Sequence, residues 1–199
     1  MLADPAERLG FRVVALASSA GGLNALTHVL QTLPSGLEAA LLVVQHLDRK
    51  HRSVMAEILG RRTAMGVHEA RAGMHIEAGQ VYIAPPNHHL LVAPGGVLEL
   101  TQTELVHFVR PSADLLFESV AATYRKRAIA VVLSGTGQDG AMGVRAIKKM
   151  GGTVIVQDPR SAEFPGMPQT AVQTGVADLV LKLDEITSAV VAACAATQS

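Results

Sequence analysis

The fold is decided by a short segment near the N terminus, RVVALASSAGG at residues 12–22. Its first six residues are mostly apolar, and two serines and two glycines stand between them and the start of a helical pattern. A short apolar run of this kind predicts a strand buried on both faces, as in a parallel sheet. The turn with the serines and glycines therefore lies where a strand passes into a helix.

Four further apolar runs repeat this arrangement along the chain. Helical patterns separate the runs, and one of them, residues 112–127, has Ser112 placed as a cap and Asp114 in its first turn. Alternation of strands and helices predicts a parallel sheet with right-handed crossovers. We therefore expect an α/β fold, doubly wound and mainly parallel, with helices on both faces. The five runs cover residues 12–17, 39–45, 128–134, 153–157 and 179–183, and the other helical patterns cover 23–33, 54–61, 141–150 and 167–174.

Residues 66–109 interrupt the alternation. Short apolar runs at residues 81–84, 89–93 and 97–99 are separated by Pro-Pro-Asn and Pro-Gly-Gly, which are turn signals. This pattern predicts an antiparallel hairpin insertion over about residues 66–109.

Length and composition narrow the function classes. With 199 residues, 49% of them hydrophobic, the chain can fill one core. Its 17 basic and 17 acidic residues balance, so it lacks the excess positive charge that is typical of a nucleic-acid binder. Its one cysteine, Cys194, forms no disulfide within the chain and has no companion ligands for a metal. No apolar run approaches the roughly 18 residues of a membrane helix, and residues 1–10 lack the apolar stretch of a signal peptide. We expect a cytoplasmic protein with no cofactor, metal, nucleic acid or membrane insertion.

Three strand ends carry side chains suited to catalysis. Ligands of open parallel sheets bind at the carboxyl ends of the strands. The first run ends in Ser18-Ser19, the second is followed by His46, and the third leads into a glycine-rich turn with Asp139. A hydroxyl in a tight turn, a base that is neutral near pH 7 and a carboxylate that orients it are the members of a catalytic triad. These residues alone predict a serine hydrolase and leave Ser18 and Ser19 open as nucleophiles.

Two anion-binding interpretations compete with the hydrolase. Residues 135–140, GTGQDG, match the G-x-G-x-x-G pattern of dinucleotide sites, and Asp158 follows near the end of the next strand. Asp139 would place a carboxylate where a pyrophosphate binds, which weighs against this interpretation. A phosphate cradle at residues 18–22 lacks the P-loop lysine, since Asn24 is nearby instead.

The remaining histidines do not form a recognisable set. The adjacent His88 and His89 would point to opposite faces of a strand, and no carboxylate or cysteine lies at ligand spacing. We expect surface or structural roles for both, as for His28, His51, His68, His75 and His107.

The chain resembles the catalytic domain of the CheB-type chemotaxis protein-glutamate methylesterases, from Val13 to about Val191. The family's nucleophile turn, Gly-Ala-Ser-Thr-Gly-Gly, resembles residues 17–22, and this selects Ser19 over Ser18. Further similarities to the family lie at the Gln-His strand end, the glycine-rich segment with an aspartate, and the Gly-Met-Pro segment. They correspond to residues 45–46, 135–141 and 166–168, with smaller similarities at 82–85 and 110–112.

This resemblance implies a substrate and a mechanism. A CheB-type enzyme hydrolyses glutamate 5-O-methyl esters on the cytoplasmic helices of chemoreceptors, and such enzymes also deamidate particular glutamines. The roles implied here are Ser19 as nucleophile, His46 as base and Asp139 as the residue that orients the base. The same acyl-enzyme route would serve both reactions.

Two departures from the family pattern lie beside the site. Ala20 replaces a threonine and Thr136 replaces a methionine, and together with Gly21 and Gly137 we expect these residues to line the oxyanion region. Because of the departures, two alternatives stay open: a catalytically weak receptor-binding module of the same fold, and an esterase for another substrate.

The domain organisation follows from the first strand. That strand begins about ten residues into the chain, so we expect a tail at 1–10, a catalytic domain at 11–192, and no receiver domain of the kind that this family usually carries. The chain is then either a stand-alone esterase, regulated by a separate regulatory or receiver protein, or an excised domain.

Overall fold

A computed structural model of the protein describes residues 10–46 and 54–196. The tail at residues 1–9 and His51 lie outside the described residues. The strands are β1 (Arg12–Ser18), β2 (Ala39–Gln45), β3 (Gly66–Glu69), β4 (Gln80–Ile83), β5 (His89–Ala93), β6 (Val97–Thr101), β7 (Ala128–Val132), β8 (Thr153–Gln157) and β9 (Leu179–Leu181). The helices are α1 (Gly22–Thr32), α2 (Met55–Gly60), α3 (Ala113–Tyr124), α4 (Ala141–Lys149), α5 (Gly166–Gln173) and α6 (Leu183–Ala195).

Seven strands form one sheet in the order β3-β4-β2-β1-β7-β8-β9. Every pair of neighbours in this sheet is parallel, whereas β5 and β6 form a separate antiparallel pair. The central strand β1 is flanked by β2 and β7, so the carboxyl ends of these three strands lie side by side. Residues that follow them in the chain can therefore meet at one edge of the sheet.

Helices cover both faces of the sheet. Alternate residues of β1 belong to two separate cores: Val13 packs with α3, α4, α5 and the β5–β6 hairpin, while Val14 packs with α1, α2 and α6. Every residue of β2 and β7 is buried, as strands covered on both faces require. The predicted doubly wound, mainly parallel α/β fold is confirmed.

The hairpin insertion is narrower than the predicted 66–109. The antiparallel strand pair covers residues 89–101, with one isolated antiparallel bridge from Val97 to His75, whereas β3 and β4 join the main sheet in parallel. Val81, Tyr82 and Ile83 of β4 are buried. Such side chains gain more by extending the buried sheet than by forming a half-exposed hairpin.

The last helix, α6, has no counterpart among the predicted elements. Its Ile186 and Val190 pack into the core on the α1 face. Burial raises the pKa of the Cys194 thiol, which lies near its end, to about 11, so this thiol is protonated and unreactive at neutral pH. Across residues 10–46 and 54–196, no helix has both the length and the apolar character needed to cross a membrane.

Candidate active site

The predicted catalytic side chains follow three neighbouring strands. Ser18 and Gln45 are partners in the β1–β2 register and end these strands, and Ser19 and His46 are the residues that directly follow. The backbone N–H of His46 donates to the Ser18 carbonyl at 3.0 Å, and that of Ser19 donates to the Ser134 carbonyl at 3.0 Å. The turn after β1 is thus fixed to both neighbouring strands.

A histidine–carboxylate pair occupies this edge of the sheet. His46 Nε2 lies 2.8 Å from Asp139 Oδ2, and the two side chains are only 9% and 3% exposed. Since an ionised carboxylate only accepts hydrogen bonds, Nε2 carries the proton and donates it to Asp139. The neutral ring then has its unprotonated nitrogen at Nδ1, available as a base. No hydrogen bond between described residues joins the Ser19 hydroxyl to His46.

Asp139 is held in place by the beginning of α3. Its carboxylate accepts hydrogen bonds from the Ser112 hydroxyl at 2.8 Å and from the backbone N–H groups of Ala113 at 2.6 Å and Asp114 at 3.1 Å. Burial alone would raise the pKa of Asp139, but the hydrogen bonds from His46 and the two amides outweigh it and hold that pKa below its ordinary value. Asp139 is therefore ionised at neutral pH and accepts the hydrogen bond from His46 Nε2.

A second buried carboxylate lies beside the first. Asp114 is 3% exposed, and its Oδ1 accepts a hydrogen bond from the Gly143 amide of α4 at 2.7 Å. Burial raises the pKa of Asp114; the Asp139 carboxylate adds to the rise and the Gly143 amide opposes it. His107 Nε2 approaches Asp114 Oδ2 at 3.2 Å, which places a histidine expected to be isolated next to the candidate site.

The two serines of the first turn differ in what they contact. Ser18 is fully buried, and its hydroxyl donates to Gln45 Oε1 at 2.5 Å. Gln45 Nε2 in turn donates to the Ser19 carbonyl at 2.6 Å and to the His46 carbonyl at 3.1 Å. The Ser18 hydroxyl is thus used to build the turn. That of Ser19, which is partly exposed, has no hydrogen-bond partner among the described residues.

Two glycines allow the turns at this edge to approach each other. Gly21, immediately before α1, has a φ of 71°, in the left-handed region that other residues rarely adopt. A Cβ at Gly135 would lie 2.9 Å from the Cβ of Ser19, closer than side chains tolerate. The turn after β7 therefore packs directly against Ser19.

Four backbone amides at these turns are unused. Within residues 10–46 and 54–196, no hydrogen bond has the N–H of Ala20, Gly21, Thr136 or Gly137 as donor. Amides of this kind at a helix N terminus and in a glycine turn can bind an anionic oxygen. The arrangement can therefore supply a nucleophilic hydroxyl, an oriented base and donors for an oxyanion.

The features of the dinucleotide interpretation have other roles in the structure. The Asp139 carboxylate inside the 135–140 turn binds His46 and α3. Asp158 forms an ion pair with Arg160, in which Nη2 lies 3.0 Å from Oδ2. Both carboxylates thus have protein partners in the structure.

Sequence reasoning missed several residues around the site. Ser112 caps α3 as predicted, by accepting from the Leu115 amide, but its donation to Asp139 was not foreseen. The sequence also did not predict that Gln45 holds the serine turn or that Asp114 binds α4 beside Asp139. A usable signal existed for Gln45, because a polar residue at the end of a fully apolar strand must find buried partners.

Comparison with known proteins identifies related chains. A family model described as CheB methylesterase matches residues 14–190. A protein-glutamate methylesterase/protein-glutamine glutaminase of Symbiobacterium thermophilum is 40% identical over 184 residues, covering 92% of this chain and 51% of the relative. A relative in Leptospira interrogans, named for the same two activities, is 36% identical over 178 residues, covering 89% of this chain and 92% of the relative.

A solved structure has the same fold. The crystal structure of the Thermotoga maritima CheB methylesterase catalytic domain superposes with a TM-score of 0.88 and 33% sequence identity. The match covers 92% of this chain and 98% of that domain. The chain thus spans about half the length of the Symbiobacterium relative and nearly all of a catalytic domain.

Proposed function

Because this chain belongs to the CheB methylesterase family, we propose that it hydrolyses glutamate 5-O-methyl esters on chemoreceptors to glutamate and methanol. The observation that carries the proposal is the buried His46–Asp139 pair, 2.8 Å apart, beside the turn of Ser19. Relatives named protein-glutamate methylesterase support the substrate. The proposed catalytic domain covers residues 11–192.

Acylation begins at Ser19. His46 takes the hydroxyl proton through Nδ1 while Ser19 Oγ attacks the ester carbonyl, and the resulting imidazolium is stabilised by ionised Asp139. The negative charge on the carbonyl oxygen binds to backbone amides of Ala20, Gly21, Thr136 and Gly137. Because these donors are backbone groups, the replacement of a threonine by Ala20 and of a methionine by Thr136 does not remove them.

Acylation ends when His46 returns its proton to the methoxide leaving group, so methanol departs and a glutamyl ester of Ser19 remains. Deacylation then regenerates the enzyme. Water, deprotonated by His46, attacks this acyl-enzyme, the bond to Ser19 Oγ breaks, and the serine recovers a proton from His46. The product is a glutamate carboxylate on the substrate protein.

Glutamine deamidation is a second candidate activity. The relatives' names include protein-glutamine glutaminase, and the same acyl-enzyme forms when ammonia leaves in place of methanol. Both reactions require His46 to protonate the leaving group. We therefore expect the two activities to depend on the same three residues.

The partners follow from the substrate. The proposed partner is the cytoplasmic helical region of a methylated chemoreceptor, which implies a cytoplasmic location for the protein. A separate regulatory or receiver protein is proposed as the source of control.

Methanol release from methylated chemoreceptor membranes tests the proposal. Wild-type protein should release methanol, and Ser19→Ala should lower the rate by several orders of magnitude while the fold is kept, since a triad acts as a unit. Ser18→Ala is the matched control for a neighbouring serine; it removes a buried turn contact but no reacting group. Methanol release by Ser19→Ala at the wild-type rate would contradict the proposal.

A further inference from the structure

An exposed aromatic side chain lies on a strained turn close to the candidate active site. Val106 and Val109 exchange backbone hydrogen bonds of 3.2 and 2.9 Å, and the two residues between them, His107 and Phe108, have φ values of 48° and 65°. Two consecutive positive φ values belong to a type I′ turn, which Asn, Asp and Gly favour. Phe108 is 90% exposed. Neither backbone preference nor core packing accounts for a phenylalanine there.

Contacts from His107 fix this turn to the site. His107 Nε2 donates to the buried Asp114, and Gln138 Nε2 lies 3.4 Å from His107 Nδ1. Asp114 is in the first turn of α3, whose amides bind Asp139, and Gln138 is the residue before Asp139. Phe108 is therefore held beside the elements that position the proposed triad.

The rest of the same loop is also held firmly. Arg110 donates to the carbonyls of Gln102 at 3.0 Å and Thr103 at 2.6 Å, and the buried His89 donates from Nε2 to the Glu104 carbonyl at 3.0 Å. The loop before the His107-Phe108 turn is thus hydrogen-bonded to Arg110 and His89.

Two other exposed apolar side chains border the turn that carries Asp139. Met142, 53% exposed, lies in the first turn of α4. Phe164, 37% exposed, accepts a hydrogen bond from the Gly135 amide at 2.9 Å through its carbonyl. Together with Phe108, they are carried by three segments that contact or directly follow the 135–140 turn, and we call these three side chains the apolar rim. Exposed aromatic and methionine side chains of this kind are enriched at protein interfaces.

Resting on the proposed function, we infer that Phe108 is a docking anchor for the polypeptide that carries the ester, contacting the apolar side chains of its helical segment. A glutamyl side chain is short, so a helix that presents its ester to Ser19 must lie against the surface around Ser19. The apolar rim offers exposed side chains on that surface against which an amphipathic helix can bury its apolar face. Phe108 thus determines affinity for the protein substrate and takes no part in the chemistry.

The test compares a protein substrate with a small ester. Phe108→Ala removes the ring, and Phe108→Asn removes it while favouring the positive φ of the turn. Val180→Ala is the control, since Val180 is 43% exposed on β9, at the far edge of the sheet. Initial rates of methanol release are measured against the concentration of methylated chemoreceptor membranes, and hydrolysis of p-nitrophenyl acetate reports on the site itself.

We expect both Phe108 variants to raise KM for the receptor by about tenfold, the size of a moderate interface contact. Their kcat and their p-nitrophenyl acetate hydrolysis should match wild type, as should every parameter of Val180→Ala. An unchanged KM, an equal rise in Val180→Ala or a parallel loss of small-ester hydrolysis would overturn the inference. If wild type hydrolyses the small ester and releases no methanol from receptors, it is the proposed substrate that fails.

Discussion

Asp139 binds the amino end of α3, and Asp114 of α3 binds the amino end of α4. Asp139, in the turn that leads into α4, accepts hydrogen bonds from the first amides of α3 at 2.6 and 3.1 Å, while Asp114 of α3 accepts from the Gly143 amide of α4 at 2.7 Å. Each carboxylate lies at the positive end of the other helix dipole, which offsets part of the cost of placing two carboxylates side by side. We therefore expect the position of Asp139 to depend on Asp114.

Replacement of Asp114 separates the effect of the hydrogen bond from that of the charge. Asp114→Ala leaves the buried Gly143 amide without an acceptor, which should cost about 1–3 kcal/mol of unfolding free energy, and it should lower kcat by loosening Asp139. In Asp114→Asn an amide oxygen still accepts the bond. The raised pKa of Asp114 shows that burial disfavours its charge in the folded protein. Removal of the charge should therefore cost little, and this variant should be close to wild type in stability at neutral pH. Urea unfolding and methanol release measure both effects; equal losses in the two variants would contradict the role given to the hydrogen bond.

Asp139→Asn should lower kcat by roughly 10⁴-fold, as the loss of the orienting carboxylate does in other triads. An asparagine can neither fix the Nε2–H form of His46 nor stabilise the imidazolium. Methanol release checks this expectation against Asp178→Asn, a control because Asp178 pairs with Lys148 away from the triad. A rate within tenfold of wild type would show that Asp139 does not orient His46.

The acid dependence of stability should also change in Asp139→Asn. Since the pKa of Asp139 is lower in the folded protein than in the unfolded chain, its ionised form adds stability above about pH 3.9, the unfolded value. This contribution is lost as the pH falls through the lower folded pKa. The asparagine variant lacks it at every pH, so its unfolding free energy should fall less steeply with acid below about pH 4. Urea unfolding over a pH series would show parallel curves if Asp139 had no such depressed pKa.

Gly135→Ala should displace the proposed nucleophile. The new Cβ would overlap the Met167 sulfur and lie 2.9 Å from the Cβ of Ser19. The Met167 side chain can move aside more easily than the Ser19 turn, and a shift of about 1 Å at a reacting group can cost roughly 100-fold in rate. Gly36→Ala is the control, because a Cβ there meets nothing within 4 Å. Methanol release should fall only in the first variant, with circular dichroism unchanged in both. Equal activity would mean that the turn after β7 does not set the position of Ser19.

The sequence predicts the parts of the fold that depend on repeating hydrophobic patterns. The bounds of β2 and β8 match the predicted 39–45 and 153–157, because strands buried on both faces are continuous apolar runs. By contrast, β4 resembles a hairpin strand in the sequence and joins the main sheet. Its pairing with β2 is a long-range contact that local turn signals do not encode.

The candidate site was predictable only in part. The rule that ligands bind at strand ends placed Ser19, His46 and Asp139 at one edge of the sheet, and the structure brings the last two into contact. The binding of the α3 amino end by Asp139 and of the α4 amino end by Asp114 depends on how α3 packs against α4. No spacing in the sequence reveals this packing. The turn at His107-Phe108 was also missed, because it contains none of the residues that mark a type I′ turn.

The most direct measurement of the central claim is the reaction of the protein with a fluorophosphonate, followed by mass spectrometry of its peptides and by the methanol assay. If Ser19 is the nucleophile activated by His46, one phosphonate adduct should form on Ser19, and methanol release should decline in proportion to the labelled fraction. The His46→Ala variant should label far more slowly. An unlabelled Ser19 in a protein that still releases methanol, or full activity with Ser19 labelled, would contradict the account.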